Sequence, residues 1–323
     1  MDADEQAHTM CEESCELCGA PLQPRLIGVR DPISLERFDV LDCPSCGLGM
    51  THPKPTNVSS YYGPRYYGER HWITTAYCTW RRLRVIRLTL GRDCRPSLLD
   101  VGCGDGTFLR AAQQKGWQVS GTELRDAGPI PSRAIRVWSS LSDIEDRFDC
   151  VTAWHVLEHL PDPQESAREI RRLLKPGGAL LLSVPDGGGW QSRCSGPFWF
   201  HLDVPRHLFH FDLPSLRLLL ENAGFEVACV WHHELEYDLF GWIQSALNAW
   251  LEVPNVLFDA LTGRPPRTGR LPILWSLLFA AFSFPVAFLL TVLSTLARRG
   301  GTLIVAARPF AQAPVATHPR SAR

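Results

Sequence analysis

Short apolar runs alternate along most of the chain with longer segments whose apolar residues recur at helical spacing. This alternation predicts parallel strands in one sheet, with helices packed on both faces. We predict strands at residues 98–101, 118–123, 134–138, 148–155, 179–184 and 224–230, and helices at residues 77–90, 107–114, 162–174 and 213–223. The fold class is therefore α/β.

Three glycines, Gly102, Gly104 and Gly106, follow the first predicted strand. A strand, a glycine turn and a helix in this order begin a doubly wound sheet, which binds its ligand beyond the carboxyl ends of the strands. The spacing differs from the dinucleotide fingerprint, because Thr107 stands where that fingerprint has its third glycine. Asp100, directly before the turn, would also repel a phosphate. The pattern therefore argues against a pyrophosphate site.

A second carboxylate, Glu123, ends the second predicted strand. An acid placed roughly 20 residues past such a turn can accept hydrogen bonds from both hydroxyls of a ribose. The two carboxylates and the glycines therefore indicate a nucleoside-containing ligand without a pyrophosphate.

Asp100, the glycine turn and Glu123 together resemble the cofactor site of class I S-adenosylmethionine-dependent methyltransferases. The runs that begin at Phe148 and Leu173 are similar to this family's fourth strand and to the turn into its fifth. The resemblance implies a Rossmann-like, doubly wound, seven-stranded sheet whose last strand, residues 301–308, is antiparallel. The cofactor-binding candidates that it implies are Asp100, Gly102, Cys103, Gly104, Gly106, Glu123, Leu124, Ser140, Leu141 and His155.

Two C-x-x-C-G sequences near the amino terminus predict a zinc ribbon with Cys15, Cys18, Cys43 and Cys46 as ligands. Four thiolates close a tetrahedral site, so the zinc ion would be structural rather than catalytic. Cys11 is off this spacing and is treated as a bystander. A redox role for one C-x-x-C needs a thioredoxin-like context, which is absent. Whether this ribbon binds nucleic acid or protein is left open.

Tyrosines cluster after the ribbon, at residues 61–67, among glycine and proline. This region is similar to that of a methyltransferase subgroup that includes sugar C-methyltransferases. The cluster is either a packing hinge between modules, which we favour, or a wall of the substrate pocket.

Aromatic and ionisable residues are mixed in residues 190–211, after the fifth predicted strand. This composition indicates a substrate pocket. His207 is the candidate proton acceptor, Arg206 and His201 are expected to contact substrate, and Asp203 is expected to orient a histidine. His155, at the end of the fourth predicted strand, is a further catalytic candidate. The alternative is an ordered lid whose charged groups satisfy one another. For Glu158 and His159 we favour a packing role.

The segment 271–297 contains no charged residue and is long enough to span a bilayer. Arginines flank both of its ends, which favours the cytoplasmic side for both. The final strand must also rejoin the sheet. We therefore expect a re-entrant hairpin or an interfacial anchor, with residues 238–261 as an amphipathic neighbour. The alternative is a buried helical cap or a dimer interface.

Composition narrows the class of protein. The formal net charge of −1 argues against a general nucleic-acid binder, and 11 scattered cysteines fit a reducing compartment. The first 16 residues lack the apolar core of a signal peptide, so we expect a cytoplasmic protein attached to the inner membrane face. The predicted domains are a zinc ribbon (1–60), a linker and helix (61–95), a methyltransferase domain (96–236 with 300–312), a hydrophobic insert (237–299) and a flexible tail (313–323).

The function that these observations favour is methyl transfer from S-adenosylmethionine to a small-molecule or lipid-linked acceptor. Acceptors considered are a polyprenyl-linked sugar, an envelope glycan and a quinone-like precursor. One alternative is a soluble nucleotide-sugar C-methyltransferase. Another, from a different class, is a non-catalytic ribbon that binds RNA or protein on a methyltransferase scaffold.

Overall fold

A computed structural model of the chain describes residues 13–62, 72–91, 93–123 and 135–310. Cys11, Leu124, part of the tyrosine cluster and the tail at 313–323 lie outside the described residues.

The central sheet has seven strands in the order β10-β11-β8-β7-β4-β5-β6. Pairings from β8 through β6 are parallel, and β11 is antiparallel to both of its neighbours. The seven-stranded doubly wound sheet with an antiparallel last strand is thus confirmed. Its strands are β4 (Ser97–Val101), β5 (Gln118–Thr122), β6 (Arg136–Trp138), β7 (Phe148–Trp154), β8 (Leu174–Pro185), β10 (Phe225–Trp231) and β11 (Thr302–Pro309).

Successive residues of each central strand pack into opposite layers. Leu99 and Val151 contact the layer formed by helices α3 (Pro163–Arg172) and α5 (Leu213–Asn222), whereas Leu98 and Cys150 contact α1 (Trp72–Leu90) and α2 (Thr107–Gln113). Both faces are therefore covered, which explains why β4 and β7 place apolar residues in both layers instead of alternating them with exposed polar residues.

Strand β8 begins earlier than its apolar run. It starts at Leu174, which pairs with Phe148, and the pairing shifts so that Ala179 faces Cys150. The predicted turn at residues 175–178 is accommodated within the strand as an irregularity, with Gly177 at φ +78°. Glycine permits that angle at little cost.

The amino-terminal module is a smaller antiparallel sheet. It contains β1 (Gln23–Arg30), β2 (Arg37–Asp42), β3 (Gly49–His52) and, from far along the chain, β9 (Phe209–His210). Because β9 comes from the predicted substrate loop, the two predicted domains share a sheet. The domain boundaries themselves remain a prediction.

The apolar segment forms one continuous helix, α8 (Arg270–Leu296), which includes Pro285. The expectation of a re-entrant hairpin is wrong, because the missing N–H of one proline does not break this helix. Within the described residues, α8 is long and apolar enough to cross a membrane. An 18-residue stretch of it has a mean hydropathy of 2.2, and 11% of that stretch is buried. So little burial also argues against a helical cap enclosed within the chain.

Both ends of α8 are tied to the rest of the protein. Arg267, just before it, pairs with Asp259 and donates to the carbonyl of Pro32. The carbonyl of Arg299, just after it, accepts from the N–H of Trp190 at 2.9 Å. Along one side α8 packs against α6 (Leu235–Trp250) and α7 (Val256–Leu261). Helix α4 (Trp190–Ser195) contains Trp190 and follows β8.

Candidate cofactor and acceptor site

The carboxyl ends of the parallel strands meet at one edge of the central sheet, where folds of this kind bind ligands. The edge has two halves. The ends of β4, β5 and β6 form what we call the cofactor half, and the ends of β7 and β10 with residues 199–211 form the acceptor half.

The glycine turn of the cofactor half has the left-handed backbone that its sequence predicts. Gly102, Gly104 and Gly106 have φ angles of +68°, +55° and +72°. A Cβ on Gly102 would lie 2.6 Å from a methyl carbon of Val156, whereas a Cβ on Gly104 would meet no atom within 4 Å. The turn therefore packs tightly on one side and leaves open space beside Gly104.

Glu123 lies directly beside this turn. Its Oε2 accepts a hydrogen bond from the backbone N–H of Gly104 at 2.5 Å, which fixes the carboxylate at the end of β5. Ser140 and Leu141 follow β6, where the Ser140 hydroxyl caps the 3₁₀ turn Leu141–Asp143. Both lie in the loop next to Glu123, whose N–H donates to the carbonyl of Trp138.

Asp100 is a buried carboxylate under the turn. Burial raises its pKa to about 6, although Arg82 and the Thr152 hydroxyl oppose this shift. That hydroxyl donates to Asp100 Oδ1 at 2.6 Å. The group therefore carries a negative charge at neutral pH, and its ionisation costs free energy.

Cys103 was predicted to bind cofactor, but its side chain faces the core. A Cβ on Gly121 would lie 2.6 Å from Cys103 Sγ, so the thiol packs against strand β5. The backbone N–H of Cys103 donates to the carbonyl of Thr122. Gly121 was missed as a constraint, although its position within a strand is a known sign of close approach.

The donor set of this half fits S-adenosylmethionine. The fit rests on the open space beside Gly104 and on the carboxylate of Glu123, which is held where ribose hydroxyls would donate to it. Asp100 adds negative charge, which suits a cationic sulfonium compound and disfavours a nucleotide phosphate.

In the acceptor half, Glu158 is a deeply buried carboxylate with 1% of its surface exposed. Neither of its oxygens has a hydrogen-bond partner among the described residues. Burial alone would raise its pKa, but the nearby His155 and His159 lower it, so the group is ionised. The Nδ1 of His155 lies 3.6 Å from Glu158 Oε1, at ion-pair distance, so the charge is compensated while the carboxylate oxygens keep unused hydrogen-bonding capacity. The packing role favoured for Glu158 does not explain this arrangement.

His207 lies beside Glu158. Its Nδ1 bonds the carbonyl of His201 at 2.9 Å, so Nδ1 carries the proton and Nε2 is left as an acceptor. Nε2 lies 3.9 Å from Glu158 Oε1. Burial and the neighbouring His159 lower the pKa of His207 to about 4. His207 is therefore a neutral acceptor at physiological pH, as the predicted proton acceptor must be.

His155 sits where β7 ends, at φ +54°, an angle that non-glycine residues rarely adopt. Its ring stacks on Tyr237 at 4.4 Å, and Nε2 lies 3.1 Å from Glu234. Burial alone would lower its pKa, but Glu234 and the adjacent Glu158 raise it well above the ordinary value. His155 is thus a charged residue that supports Glu158, not a base.

Arg206 and Asp203 form ion pairs instead of the predicted contacts. Arg206 has no exposed surface and pairs through Nη2 with Asp31 at 2.6 Å and with Asp203 at 2.7 Å. Contact with the acceptor is therefore not supported for Arg206. The Asp203 carboxylate binds this arginine, and the Asp203 carbonyl accepts from the N–H of His207.

His201 is also committed to structure. Its Nε2 bonds the carbonyl of Tyr237 at 3.1 Å, and burial lowers its pKa to about 4. Its contribution to the site is the backbone carbonyl that fixes the tautomer of His207.

His159 and Tyr62 complete the cluster. His159 Nδ1 lies 2.8 Å from the hydroxyl of Tyr62, and its ring meets that of His207 at 4.5 Å. Tyr62 thus belongs to the site wall, the alternative less favoured for the tyrosine cluster. One ligand atom each from Glu158, His159 and His207 lies within 4.8 Å of the others, so the cluster has the donor types for either a hydroxyl group or a cation.

The most important group that sequence reasoning missed is Glu234. It is fully buried and bridges His155 and Arg81, whose Nη2 lies 2.7 Å away. The sequence signal was the run His232-His233-Glu234 directly after a predicted strand, since strand ends line this edge.

The four predicted zinc ligands lie together. Cys15 Sγ and Cys46 Sγ are 3.6 Å apart, and Cys18 Sγ and Cys43 Sγ are 3.4 Å apart. A tetrahedral zinc ion with Zn–S bonds near 2.3 Å requires sulfurs about 3.8 Å apart. The set of four thiolates therefore fits a structural zinc ion.

Comparisons with known proteins agree with this geometry. Residues 71–230 match the family described as "Methyltransferase domain". The chain is 34% identical over 101 residues to a ubiquinone biosynthesis O-methyltransferase of Pseudomonas paraeruginosa. The aligned segment covers 27% of this chain and 44% of that protein. It is 33% identical over 116 residues to the protein of the same name from Alkalilimnicola ehrlichii, covering 32% and 47%. The match thus spans less than half the length of these relatives.

Among solved structures, a SAM-dependent methyltransferase from Archaeoglobus fulgidus aligns with a TM-score of 0.43 and 19% identity, covering 72% of this chain and 93% of that chain. A likeness this weak supports no conclusion about function. The family match and the sheet topology together place the chain: it belongs to the class I S-adenosylmethionine-dependent methyltransferases.

Proposed function

We propose that this protein transfers a methyl group from S-adenosylmethionine to an oxygen of a small acceptor that resides in or on the cytoplasmic face of the membrane. The observation that carries the proposal is the neutral His207 Nε2, which lies 3.9 Å from the ionised Glu158 carboxylate at the carboxyl edge of the central sheet. An acceptor hydroxyl can donate its one proton to His207 Nε2, while Glu158 stabilises the positive charge that the imidazole gains.

The two groups divide the work by charge. The ionised Glu158, whose Oε1 lies 3.9 Å from His207 Nε2, stabilises the imidazolium that forms when this nitrogen takes a proton. His207 Nε2 takes the hydroxyl proton as the oxygen attacks, while Nδ1–H stays bonded to the carbonyl of His201. When bound, S-adenosylmethionine supplies a methyl group on a sulfonium, whose thioether leaves without a proton. Positioning of the two reactants provides the rest of the rate gain.

The membrane location is supported by α8. Its exposed large side chains are Leu271, Leu274, Trp275, Leu277, Leu278, Phe282, Phe284, Val286, Phe288, Leu289, Val292, Leu293 and Leu296. Both helix ends contact one globular body, so the helix lies along that body, as an interfacial anchor would. Burial of apolar surface at about 25 cal/mol per Å² favours attachment to lipid.

Helix α6 connects the anchor to the acceptor half. On one side Ile243 and Leu247 pack with Ala287 of α8. On the other, Tyr237 stacks on His155, and Gly241 lets His201 approach the helix closely. Helix α6 is therefore in contact both with the proposed anchor and with residues of the acceptor half.

The acceptor class that we propose is a quinone-like phenol carried on an apolar chain. The aligned relatives are named for ubiquinone biosynthesis, and a phenol offers the hydroxyl that His207 and Glu158 fit. A lipid-linked sugar satisfies the same geometry.

Transfer is tested with S-adenosylmethionine carrying a labelled methyl group and three acceptor pools: a polyprenylated phenol, a polyprenyl-linked sugar and a nucleotide sugar. Label in either lipid pool supports the proposal. Label confined to the nucleotide sugar would favour the soluble C-methyltransferase instead. Failure to bind S-adenosylmethionine in calorimetry would favour the non-catalytic module.

The base is tested with His207→Gln. We expect turnover to fall about 100-fold while the dissociation constant of the cofactor is unchanged, because a general base contributes to the chemical step. His52→Gln, a half-buried histidine of the ribbon, is the matched control and should retain full turnover. Full turnover in His207→Gln would refute the assignment.

Attachment is tested by sedimentation with anionic and neutral phospholipid vesicles at high salt. Wild-type protein should sediment with both, since apolar attachment is not screened by salt. Phe282→Glu should weaken sedimentation, whereas Ile27→Glu, an exposed apolar residue of the ribbon, should not. Equal behaviour of the two variants would contradict the anchor.

A further inference from the structure

The zinc ribbon holds the substrate loop, and we infer that it is a working part of the acceptor site, in which Asp31 and Thr51 are positioning residues for Arg206 and His207. The inference rests on the proposed function. It assigns a role to a module whose purpose the sequence leaves open between nucleic-acid binding, protein binding and structure.

The first observation is the shared sheet. Strand β9 pairs antiparallel with β3 of the ribbon, with Gly49 opposite His210 and Met50 opposite Phe209. The N–H of Thr51 donates to the carbonyl of Leu208 at 3.0 Å, which extends this pairing toward His207. The backbone on both sides of the proposed base is therefore held by the ribbon.

The second observation is the Thr51 side chain. It is buried, and its Oγ1 donates to the carbonyl of His207 at 2.6 Å. The same oxygen lies 3.0 Å from His210 Nε2. One ribbon hydroxyl thus fixes the peptide group of the proposed base.

The third observation is a buried ion pair between the modules. Asp31 lies directly after β1, and neither it nor Arg206 has any exposed side-chain surface. Asp31 is itself oriented by the N–H groups of Ile33 and Ser34 at 3.1 and 2.8 Å. A charge in this position cannot be lost cheaply, because the arginine would remain buried with one partner fewer.

Apolar packing links the same two segments. Val29, Phe38 and Val40 of the ribbon hairpin form one core cluster with Trp199, Leu202 and Val204 of the loop. Three of the four proposed zinc ligands, Cys15, Cys43 and Cys46, belong to a second cluster that contains Leu208, Phe209 and Phe211. The loop is therefore packed from both ends against the ribbon, and the proposed zinc site lies in the same core.

An independent binding module would look different. It would have its own closed core and a linker across which few contacts pass. Here the contacts across the boundary include a shared sheet, a buried ion pair and two apolar clusters. These contacts indicate that the ribbon binds residues 199–211 of the same chain, the segment that carries His207.

The first test measures amide hydrogen exchange by mass spectrometry, comparing wild type with Cys43→Ser. We expect zinc content to fall and exchange to rise both in the ribbon and in residues 204–211, because zinc binding stabilises what its ligands hold. Exchange in β4 and β5 and the affinity for S-adenosylmethionine should be unchanged. Cys229→Ser, an exposed cysteine of β10, is the matched control. Faster exchange confined to residues 13–52 would overturn the inference.

The second test uses substitutions that leave the zinc ligands intact. Thr51→Val keeps the shape of the side chain but removes the bond to His207. Asp31→Asn removes the charge beside Arg206. Each should raise exchange in residues 204–211 and lower kcat about tenfold or more with little change in the acceptor KM, because a base displaced by about 1 Å is less effective. Asp39→Asn is the control, since Asp39 Oδ1 accepts from the N–H of Gly28, a bond within the ribbon.

The outcomes separate the two proposals. If wild-type protein methylates none of the acceptors, the proposed function fails, and the exchange measurements still decide whether the ribbon holds the loop. If transfer occurs but both Thr51→Val and Asp31→Asn keep normal kcat and normal exchange, the inference fails and the proposed function stands.

Discussion

The two halves of the site are built from different materials. The cofactor half comes mostly from a single stretch, residues 100–123, and relies on backbone: a glycine turn, an N–H of Gly104 and the carboxylate that it holds. The acceptor half gathers side chains from segments as distant as Asp31 and Glu234. A local turn can be recognised in a sequence, whereas an assembly of distant side chains depends on the fold that brings them together.

The halves also differ in how they handle buried charge. In the cofactor half, burial raises the pKa of Asp100, and Arg82 and Thr152 offset this effect only in part, so the pKa stays at about 6. In the acceptor half, Glu234 is matched by Arg81 and His155, which lower its pKa although burial alone would raise it. The difference predicts that removal of a buried charge lowers the free energy of unfolding when the charge is in the acceptor half and raises it when the charge is that of Asp100.

The largest effect is expected for Glu234→Ala. Removal of this carboxylate leaves Arg81 and the charged His155 buried with fewer partners, which should lower the free energy of unfolding by about 3–5 kcal/mol. Chemical denaturation at neutral pH measures the change. Glu165→Ala removes an exposed pair with Arg168 and should change stability by at most about 1 kcal/mol. Equal effects of the two variants would show that the buried network is not stabilising.

The sequence predicted the cofactor half correctly in its main features, whereas it predicted the acceptor half poorly. Six of the seven strands, their order of appearance and the glycine turn follow from apolar runs and spacing, and the last strand follows from the family resemblance. The roles of Arg206 and Asp203 did not, because an arginine beside histidines reads as a substrate contact until Asp31 of the ribbon is placed against it. Glu158 was likewise given a packing role, since its burial among three histidines is a property of the fold.

The continuous helix α8 shows the same limit. Its length, composition and flanking arginines indicated lipid contact, and a re-entrant hairpin or an interfacial anchor was expected because both ends had to be on one side. The structure has one continuous helix that packs along α6 and α7. Periodicity does not distinguish these two solutions.

The next largest effect concerns the cofactor half. Glu123→Ala should weaken S-adenosylmethionine binding, because each charge-assisted hydrogen bond to a ribose hydroxyl is worth about 1.5–3 kcal/mol. Isothermal titration calorimetry measures the dissociation constant. Glu145→Ala, an exposed residue of the loop after β6, is the control and should bind normally. An unchanged dissociation constant in Glu123→Ala would remove the main support for the cofactor assignment.

A smaller effect of opposite sign is expected for Asp100→Asn. The pKa of Asp100 is raised from 3.8 to about 6 in the folded protein, so its contribution to stability is present below pH 3.8 and is lost as pH rises through 6. At pH 7.5 the neutral variant should therefore be more stable than wild type by about 3 kcal/mol, since one pKa unit corresponds to about 1.4 kcal/mol.

The same variant should bind cofactor more weakly, so that stability and binding change in opposite directions. Unfolding measured at pH 4 and at pH 7.5 tests the sign, because the gain should disappear at the lower pH. Asp146→Asn, an exposed carboxylate, should show no such dependence. A loss of stability in Asp100→Asn at pH 7.5 would mean that this charge is compensated as fully as those of the acceptor half.

The smallest effect sharpens the comparison at the point where the halves touch. Thr152 of β7 donates its hydroxyl to Asp100 of β4, and this bond lowers the pKa of Asp100. Thr152→Val keeps the shape but removes the donor, at a cost of about 1 kcal/mol in stability.

The pKa of Asp100 should then rise further in this variant. Because protonation removes the charge that favours the sulfonium, cofactor affinity should begin to fall at a higher pH than in wild type. Titrations between pH 5 and pH 8 measure that midpoint. Thr302→Val breaks a similar buried bond to Asp238, away from the cofactor, and should leave the midpoint unchanged. If both variants keep the wild-type midpoint, a group other than Asp100 controls cofactor binding at low pH.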